Sequence, residues 1–433
     1  MLVANDSALV YSDMLCPGLS LGEVPVGGLS VGEAEKLMAQ ALSRRQSEPL
    51  LVLQLGDKKW QVPWEIVSNR PEPAALVRRA YGVGRTGNVL ERLESQFVTR
   101  HGGRTIRLGL TPDQEKLRLF ISEVAVGQNR RSQDASVSEL HHTVRIETEV
   151  NGIEVDVAAT LLKAAQAITD GKLVTLPLVV KETPATVRAA DLEGIDALIA
   201  SFTTTYDASD EDRAFNIQLA AGKLNGMLVK GGDVVSFNDR VGARLPEAGY
   251  RKAPTMTSTG MVMDWGGGVC QVSSTFYNAA LLADFKVLER SAHYQPPSYV
   301  PLGLDATVAD GQIDLKLKNG SAYPSYIKSL QEPGKLEVRI YGKRETNAAV
   351  VRIETVEKVA RAPHTVIVQD PLLPVGNEVV DEEGTPAFTV TVQRVKVQGA
   401  KELSRETIST DEFEGANRVV RIGTRKDSAA SGK

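Results

Sequence analysis

Cys270 follows Gly266, Gly267, Gly268 and Val269 in "DWGGGVCQVSSTFYNAALLADF", residues 264–285. Val269, Val272, Phe276 and Ala280 recur at steps of three and four, which predicts a helix opening near Cys270 with that face buried. The thiol then sits in the first turn, where unpaired N–H groups and the positive end of the helix dipole favour thiolate. Glycines without side chains at Gly267 and Gly268 let a carbonyl approach backbone donors that would act as an oxyanion hole. Such a site suits acyl transfer through a thioester. A thiolate of this kind needs a base. The histidines are His101, His141, His142, His293 and His364, and only His293, 23 residues after the cysteine in "ERSAHYQPPSYVP", shares its unit, so it is the candidate base by elimination. Three other readings stay open: Cys270 as a small buried hydrophobe, Cys270 in a disulfide with Cys16, and the glycines as plain turn chemistry. His293 also has a purely structural reading, and Ser273 and Ser274 are able to bond locally at the helix start.

The elements that must hold this pair are α+β. "SDEDRAFNIQLAAGKLNG" predicts a helix with a Ser209/Asp212 capping box, a face of Ile217, Ala221 and Leu224, and a stop at Asn225-Gly226. "QIDLKLKNGSAYPSYIKSL" and "KLEVRIYG" alternate through Ile313, Leu315, Leu317 and Leu336, Val338, Ile340, with turns at Asn319-Gly320 and Pro333-Gly334, and predict antiparallel strands. One or two helices on that sheet form a unit over 206–345. Upstream, "GLSVGEAEKLMAQAL" from Gly28 and "GIEVDVAATLLKAAQAI" from Gly152 read as two copies of a helix-then-strand repeat. Between them come two helices broken at Gly82 to Gly87 and a polar linker near 127–136. The expected organisation is a tail at 1–16, α+β modules at 17–133 and 134–205, the cysteine-bearing unit at 206–345, a small all-β domain at 346–425 with "AFTVTVQRVKV" alternating over Phe388, Val390 and Val392, and a disordered tail at 426–433.

Composition limits the functions open to this chain. With 433 residues, 42% hydrophobic and 24% charged, it is a folded multidomain protein. A net charge of −4 and no basic run with interleaved aromatics argue against nucleic acid. Two cysteines make neither a disulfide framework nor a four-ligand zinc site, so no metal and no cofactor are expected. No apolar run approaches a membrane span, and "MLVANDSALVYSDML" lacks the pattern of a signal peptide, so export or membrane attachment would need a segment outside this chain.

"RAFNIQLAAGKLNG", "VVSFNDRVG", "AGYRKAP", "GGGVCQVSSTFYNAALLADFKVLER" and "YVPLGLDATVADGQIDLKLKN", in this order over about 209–342, resemble the VanW domain of bacterial cell-wall proteins. The preceding region, through "GLSVGEA" and "VGRTGN", resembles the peptidoglycan-binding modules that usually come before VanW domains, and "DPLLPVGNEVV" and "NRVVRIGT" resemble a diverged five-glycine-type domain. The resemblance implies an extracytoplasmic cell-wall protein with peptidoglycan stem peptides and glycan strands as partners. It implies L,D-transpeptidase chemistry in which Cys270 attacks the third stem residue and expels D-alanine, with His293 as base. The chain reads His293-Tyr294 where the family commonly has His-Ser, and "MDW" before the glycines. Gln271, Ser273, Asn238, Arg240, Arg290 and Asp305 match motif positions and are expected to contact substrate or support the site. The alternatives are a carboxypeptidase, with water as acceptor, and a non-catalytic wall-binding or scaffold protein associated with glycopeptide resistance.

Overall fold

A computed structural model describes residues 9–46, 49–69, 71–141, 143–171, 174–257, 260–345 and 349–425. The expected tail at 426–433 and the start of the one at 1–16 lie outside these residues. The chain divides into two compact units, one of residues 1–133 and 150–185, the other of 134–149 and 186–433.

In the first unit the two repeat copies lie together. Ser30 caps the helix Val31–Gln46: its hydroxyl accepts from the Glu33 N–H at 3.3 Å, while the Glu33 carboxylate takes the Ser30 N–H at 3.0 Å. Asp156 caps Val157–Asp170 by accepting from the Ala159 N–H at 2.8 Å. The strands that follow, Leu51–Leu55 and Thr175–Pro177, are parallel neighbours, with Lys58–Val62 antiparallel on the far side of the first. The copies therefore share one sheet and one core, which includes Leu51, Leu53, Ala164 and Ile168. This corrects the expected modules 17–133 and 134–205, because the downstream copy supplies a strand to the sheet of the upstream one and residues 134–149 belong to the second unit. The helices broken near Gly82 are Pro73–Tyr81 and Val89–Gly102. Residues 9–16 are no tail either: Leu15 and Cys16 are buried in this core. Burial pushes the free Cys16 thiol up, against the pull of Arg85 and Arg100.

The second unit takes residues 134–149 as the hairpin Ser136–Leu140 with Thr143–Glu147, whose Val137 packs with Leu192, Ile195, Tyr326 and Tyr341. Its central sheet is antiparallel in the order Ala197–Thr205, Lys335–Gly342, Ser325–Glu332, Met227–Val229. The expected boundary at 206 thus removes an edge strand from the sheet. Helices Glu211–Leu224 and Val269–Leu282 bury Ile217, Ala221, Leu224, Val272, Phe276 and Ala280 against Ile327, Leu336, Val338 and Ile340. Asp210, not Ser209, caps the first of these helices, accepting from the Arg213 N–H at 3.2 Å, while the Ser209 hydroxyl turns to Asp207 at 2.7 Å. Val234–Ser236, Lys316–Lys318 and Lys286–Glu289 form a small antiparallel sheet, and Lys252–Thr257 with Gly260–Trp265 a hairpin that leads into the glycines.

From Val350 to Arg425 the chain is all β. Val350–Arg361, Ala387–Gln398 and Lys401–Phe413 make one antiparallel sheet, and Glu378–Glu382, Arg418–Arg425 and Thr365–Pro374 another whose last pair is parallel. The alternation over Phe388, Val390 and Val392 turns one face inward, and that face, with Phe413, packs on Ala292, Leu302 and Leu304 of the cysteine-bearing domain. Among the described residues no helix is long and apolar enough to cross a membrane.

Candidate active site

The three glycines bring the chain sharply into a helix that has no free face. Gly266 and Gly268 hold φ of 78° and 105°, values a side chain disfavours. A Cβ on Gly267 would stand 2.6 Å from the Ala253 carbonyl oxygen. Val269–Leu282 is buried almost all round, and the polar side chains of its first turns bond within the domain, while the Tyr277 hydroxyl is buried without a hydrogen-bond partner. Gln271 donates to the Thr204 hydroxyl at 3.0 Å and the Thr205 carbonyl at 2.9 Å, and accepts from Arg213 at 3.0 Å. The Ser273 hydroxyl donates to the Ala306 carbonyl at 2.6 Å, and Ser274 accepts from the Ala306 N–H at 2.9 Å. These contacts clamp the first turn between the edge strand and the segment around Ala306. Gln271 and Ser273 hold the helix that carries Cys270, and their polar atoms are turned to protein.

Cys270 is the second residue of that helix and is partly exposed. Its Sγ lies 3.5 Å from the Val308 carbonyl oxygen, and the His293 side chain acts on it electrostatically. The His293 Nδ1 is 2.6 Å from Asp305 Oδ2, and the same oxygen accepts the His293 N–H at 2.7 Å. With Nδ1 held by the carboxylate, the ring offers Nε2 to the thiol; the Tyr299 hydroxyl is 3.4 Å from that nitrogen. A Cys–His–Asp chain results, the arrangement in which a carboxylate orients the base and the base activates the nucleophile.

The electrostatics follow the geometry. Burial pushes the Cys270 thiol up, but the hydrogen bond and charge of His293, the Val308 contact and the Arg244 guanidinium outweigh it and bring it below the ordinary thiol value. Burial disfavours the imidazolium of His293, yet the hydrogen bonds to Asp305 and Cys270 and their charges lift it to about 9. Burial likewise raises Asp305, and His293 and Arg290 pull it below the usual carboxylate range. Tyr299 stays neutral: burial and the neighbouring Cys270 charge push its phenol well above the ordinary value. Both shifts act in favour of the thiolate–imidazolium form of the pair.

Of the other expected residues, Asn238 supports the site indirectly. Its side-chain NH2 donates to the Ile313 carbonyl at 2.9 Å, and its oxygen accepts from Arg244 at 2.7 Å. Arg290 is buried and anchors Asp305, donating to its carbonyl at 2.7 Å and its Oδ1 at 3.1 Å. Arg240 is not brought in: it is exposed and points to the Asn225 carbonyl at 3.5 Å. The arginine beside Cys270 is Arg244, buried, ion-paired with Asp310 and stacked against Gly266. Sequence reading missed both Arg244, in "VGARLPEAGY", and Tyr299, in "PPSYVP"; each sits in irregular chain where no period marks a direction. Cys16 and Cys270 are both free thiols.

Comparison with known proteins shows what the parts of the chain are similar to. Residues 212–341 match the family described as "VanW like protein", 60–175 match "Putative peptidoglycan binding domain", and 352–425 match "G5 domain". "Uncharacterized protein YoaR" of Bacillus subtilis (strain 168) is 32% identical over 155 residues, 36% of this chain and 51% of that protein. "Vancomycin B-type resistance protein VanW" of Enterococcus faecalis (strain ATCC 700802 / V583) is 28% identical over 159 residues, 35% of this chain and 58% of that one. The chain spans about half the length of the curated relatives it matches. A solved structure of the IgA1 protease G5 domain is 28% identical, covers 20% of this chain and all of its own, and aligns with a TM-score of 0.16. The stretch with the glycines, Cys270, His293 and Asp305 falls within the first of these matches, so the chain carries a region similar to the VanW family, preceded by one similar to a peptidoglycan-binding domain and followed by one similar to a G5 domain.

Proposed function

We propose that the chain is a cysteine-dependent acyltransferase of the bacterial cell wall, an L,D-transpeptidase acting on peptidoglycan tetrapeptide stems. The observation that carries this reading is the His293–Asp305 hydrogen bond beside Cys270, whose thiol the same histidine lowers, at the N-terminus of a clamped helix. The Cys270 thiolate attacks the carbonyl of the third stem residue, the imidazolium of His293 gives its proton to the leaving D-alanine amine, and a thioester forms. The neutral imidazole then takes a proton from the side-chain amine of a neighbouring stem as that amine attacks the thioester and releases the thiolate. Asp305 keeps the ring in the tautomer both steps need. Arg244 sets a positive charge near Cys270 and the neutral Tyr299 hydroxyl is a hydrogen-bond donor beside His293, both suited to the oxygen that becomes negative in the tetrahedral intermediate. The peptidoglycan-binding domain supports a cell-wall partner and an extracytoplasmic location, and its task is to raise the local concentration of stems on an insoluble polymer.

The test is incubation with disaccharide-tetrapeptide followed by mass spectrometry for the acyl-enzyme, free D-alanine and a dimer joined through third residues. Trimming to tripeptide without dimer redirects the reading to a carboxypeptidase. Identical behaviour of wild type and Cys270→Ser, with neither adduct nor D-alanine, replaces it with wall binding alone.

A further inference from the structure

The strands that carry no catalytic residue reach the catalytic chain of contacts at one point. Arg290, which anchors Asp305, spends its remaining Nη1 on Asp411, a residue of the strand Lys401–Phe413 in the G5 domain. All three side chains are buried or nearly so, at 5%, 1% and 10% exposure for Arg290, Asp305 and Asp411. Asp411 is itself held, its Oδ2 accepting from the Ser409 hydroxyl at 2.8 Å. The loop that carries Asp305 lies directly on this sheet: a Cβ at Gly303 would meet the Val392 side chain at 2.6 Å. The segment that carries His293 is tied to it as well, since the Glu414 N–H donates to the Tyr294 carbonyl at 2.9 Å. Both catalytic loops are irregular chain, and the apolar contacts of Ala292, Leu302 and Leu304 with Val390, Val392 and Phe413 are what they rest on.

Resting on the Cys270–His293 reading above, we infer that the G5 domain completes the active site, with Asp411 a positioning residue that orients Arg290 and, through it, the Asp305 carboxylate against His293. Arg290 faces Asp305, Asp411 and the ring of Tyr277, at 5.5 Å, and His293 faces Asp305, Cys270 and Tyr299. With Asp411 present, the guanidinium charge is shared between two carboxylates. Without it, Arg290 turns wholly to Asp305, competes with His293 for that carboxylate, and its positive field destabilises the imidazolium.

The measurement is the rate of Cys270 alkylation by iodoacetamide against pH in the full chain, resolved by peptide mapping. It rises once as the thiolate forms and again as the imidazolium loses its proton. In Asp411→Asn and Asp411→Ser the second rise moves down by on the order of one pH unit, as for loss of one charge at an effective dielectric of ~20. Asp411→Glu, which keeps the charge, restores the wild-type profile. Lys396→Gln is the control: it breaks an ion pair with Asp284 at 2.6 Å on the same domain interface, away from Arg290, and leaves the profile unchanged. Asp411 variants of native circular dichroism with the wild-type profile overturn the inference, as does an equal shift in Lys396→Gln. A wild-type profile with no rise below the ordinary thiol value of ~8.5 overturns the nucleophile reading itself.

Discussion

Replacing Asp305 by asparagine keeps the shape of the side chain and removes what holds the base. The carboxylate receives the His293 N–H at 2.7 Å, the ring Nδ1 at 2.6 Å and Arg290 at 3.1 Å, with its side chain 1% exposed. An amide in its place presents NH2 to Nδ1, which drives the ring proton to Nε2 and leaves no lone pair facing the thiol. His293 stands at about 9. Relative to an ordinary imidazole at ~6.5 that is roughly 3 kcal/mol in favour of the imidazolium. Burial acts in the opposite direction, and the Asp305 hydrogen bond is the largest of the raising contributions, followed by the bond to Cys270. Assigning Asp305 about half of the net effect gives ~1.5 kcal/mol, so the equilibrium constant of the thiolate–imidazolium form over the neutral pair falls by about tenfold. The wrong tautomer adds to this for acyl transfer, where the same carboxylate-to-amide exchange in Ser-His-Asp sites costs on the order of 10⁴ in kcat. The assay is Cys270 alkylation by iodoacetamide at pH 7, followed by peptide mapping to separate it from the buried Cys16, with tetrapeptide turnover alongside. Alkylation down by up to about tenfold and turnover down far more is the expected pattern. Folded Asp305→Asn that alkylates and turns over like wild type refutes the assignment of Asp305 as the residue that orients the base.

Cys270→Ser abolishes turnover and leaves the melting temperature nearly unchanged, since it exchanges one partly exposed atom; calorimetry beside the tetrapeptide assay checks both halves. His293→Ala retains slow acylation in single-turnover mass spectrometry, because the helix terminus and Arg244 still favour thiolate, but forms no dimer. Gly267→Ala lowers stability by about 2 kcal/mol or more in urea unfolding, as its methyl meets backbone at 2.6 Å with no side chain able to yield. The pH dependence of stability has two parts. The depressed Asp305 contributes stability that is complete above its unfolded value of ~3.9 and is lost as pH falls through its lower folded value, so Asp305→Asn flattens that acid limb. His293, raised to about 9, contributes stability that is complete below the unfolded ~6.5 and is lost as pH rises toward 9. In wild type the proton His293 gains is the one Cys270 gives up, so melting temperature is flat across that window; in Cys270→Ser it declines.

The chain of amino acids by itself determined those features that depend on neighbours a few residues apart. The helix that opens near Cys270 is legible because Val269, Val272, Phe276 and Ala280 repeat at its period and Gly266 to Gly268 permit the turn before it. The inward face of the last domain is legible in Phe388, Val390 and Val392 for the same reason, at a period of two. His293 emerged as the base by elimination, and Arg290 and Asp305 by resemblance alone. Only the tertiary structure decided that Asp305 holds the His293 ring, that Arg244 acts on Cys270 while Arg240, a candidate for substrate contact or support, stays at the surface, that Tyr299 faces His293, and that Asp411 backs Arg290. These residues lie in irregular chain or more than a hundred positions away, as Asp411 does from Arg290. A strand or helix announces which way its side chains face through its period, whereas a loop residue takes its direction from whatever packs against it. The division of the repeat is a case of the same rule: each copy is readable as helix then strand, but Thr175–Pro177 finds its partner in Leu51–Leu55 across more than a hundred residues. Strand pairing at such separations is chosen by the burial it completes, and that quantity exists only once the chain has folded.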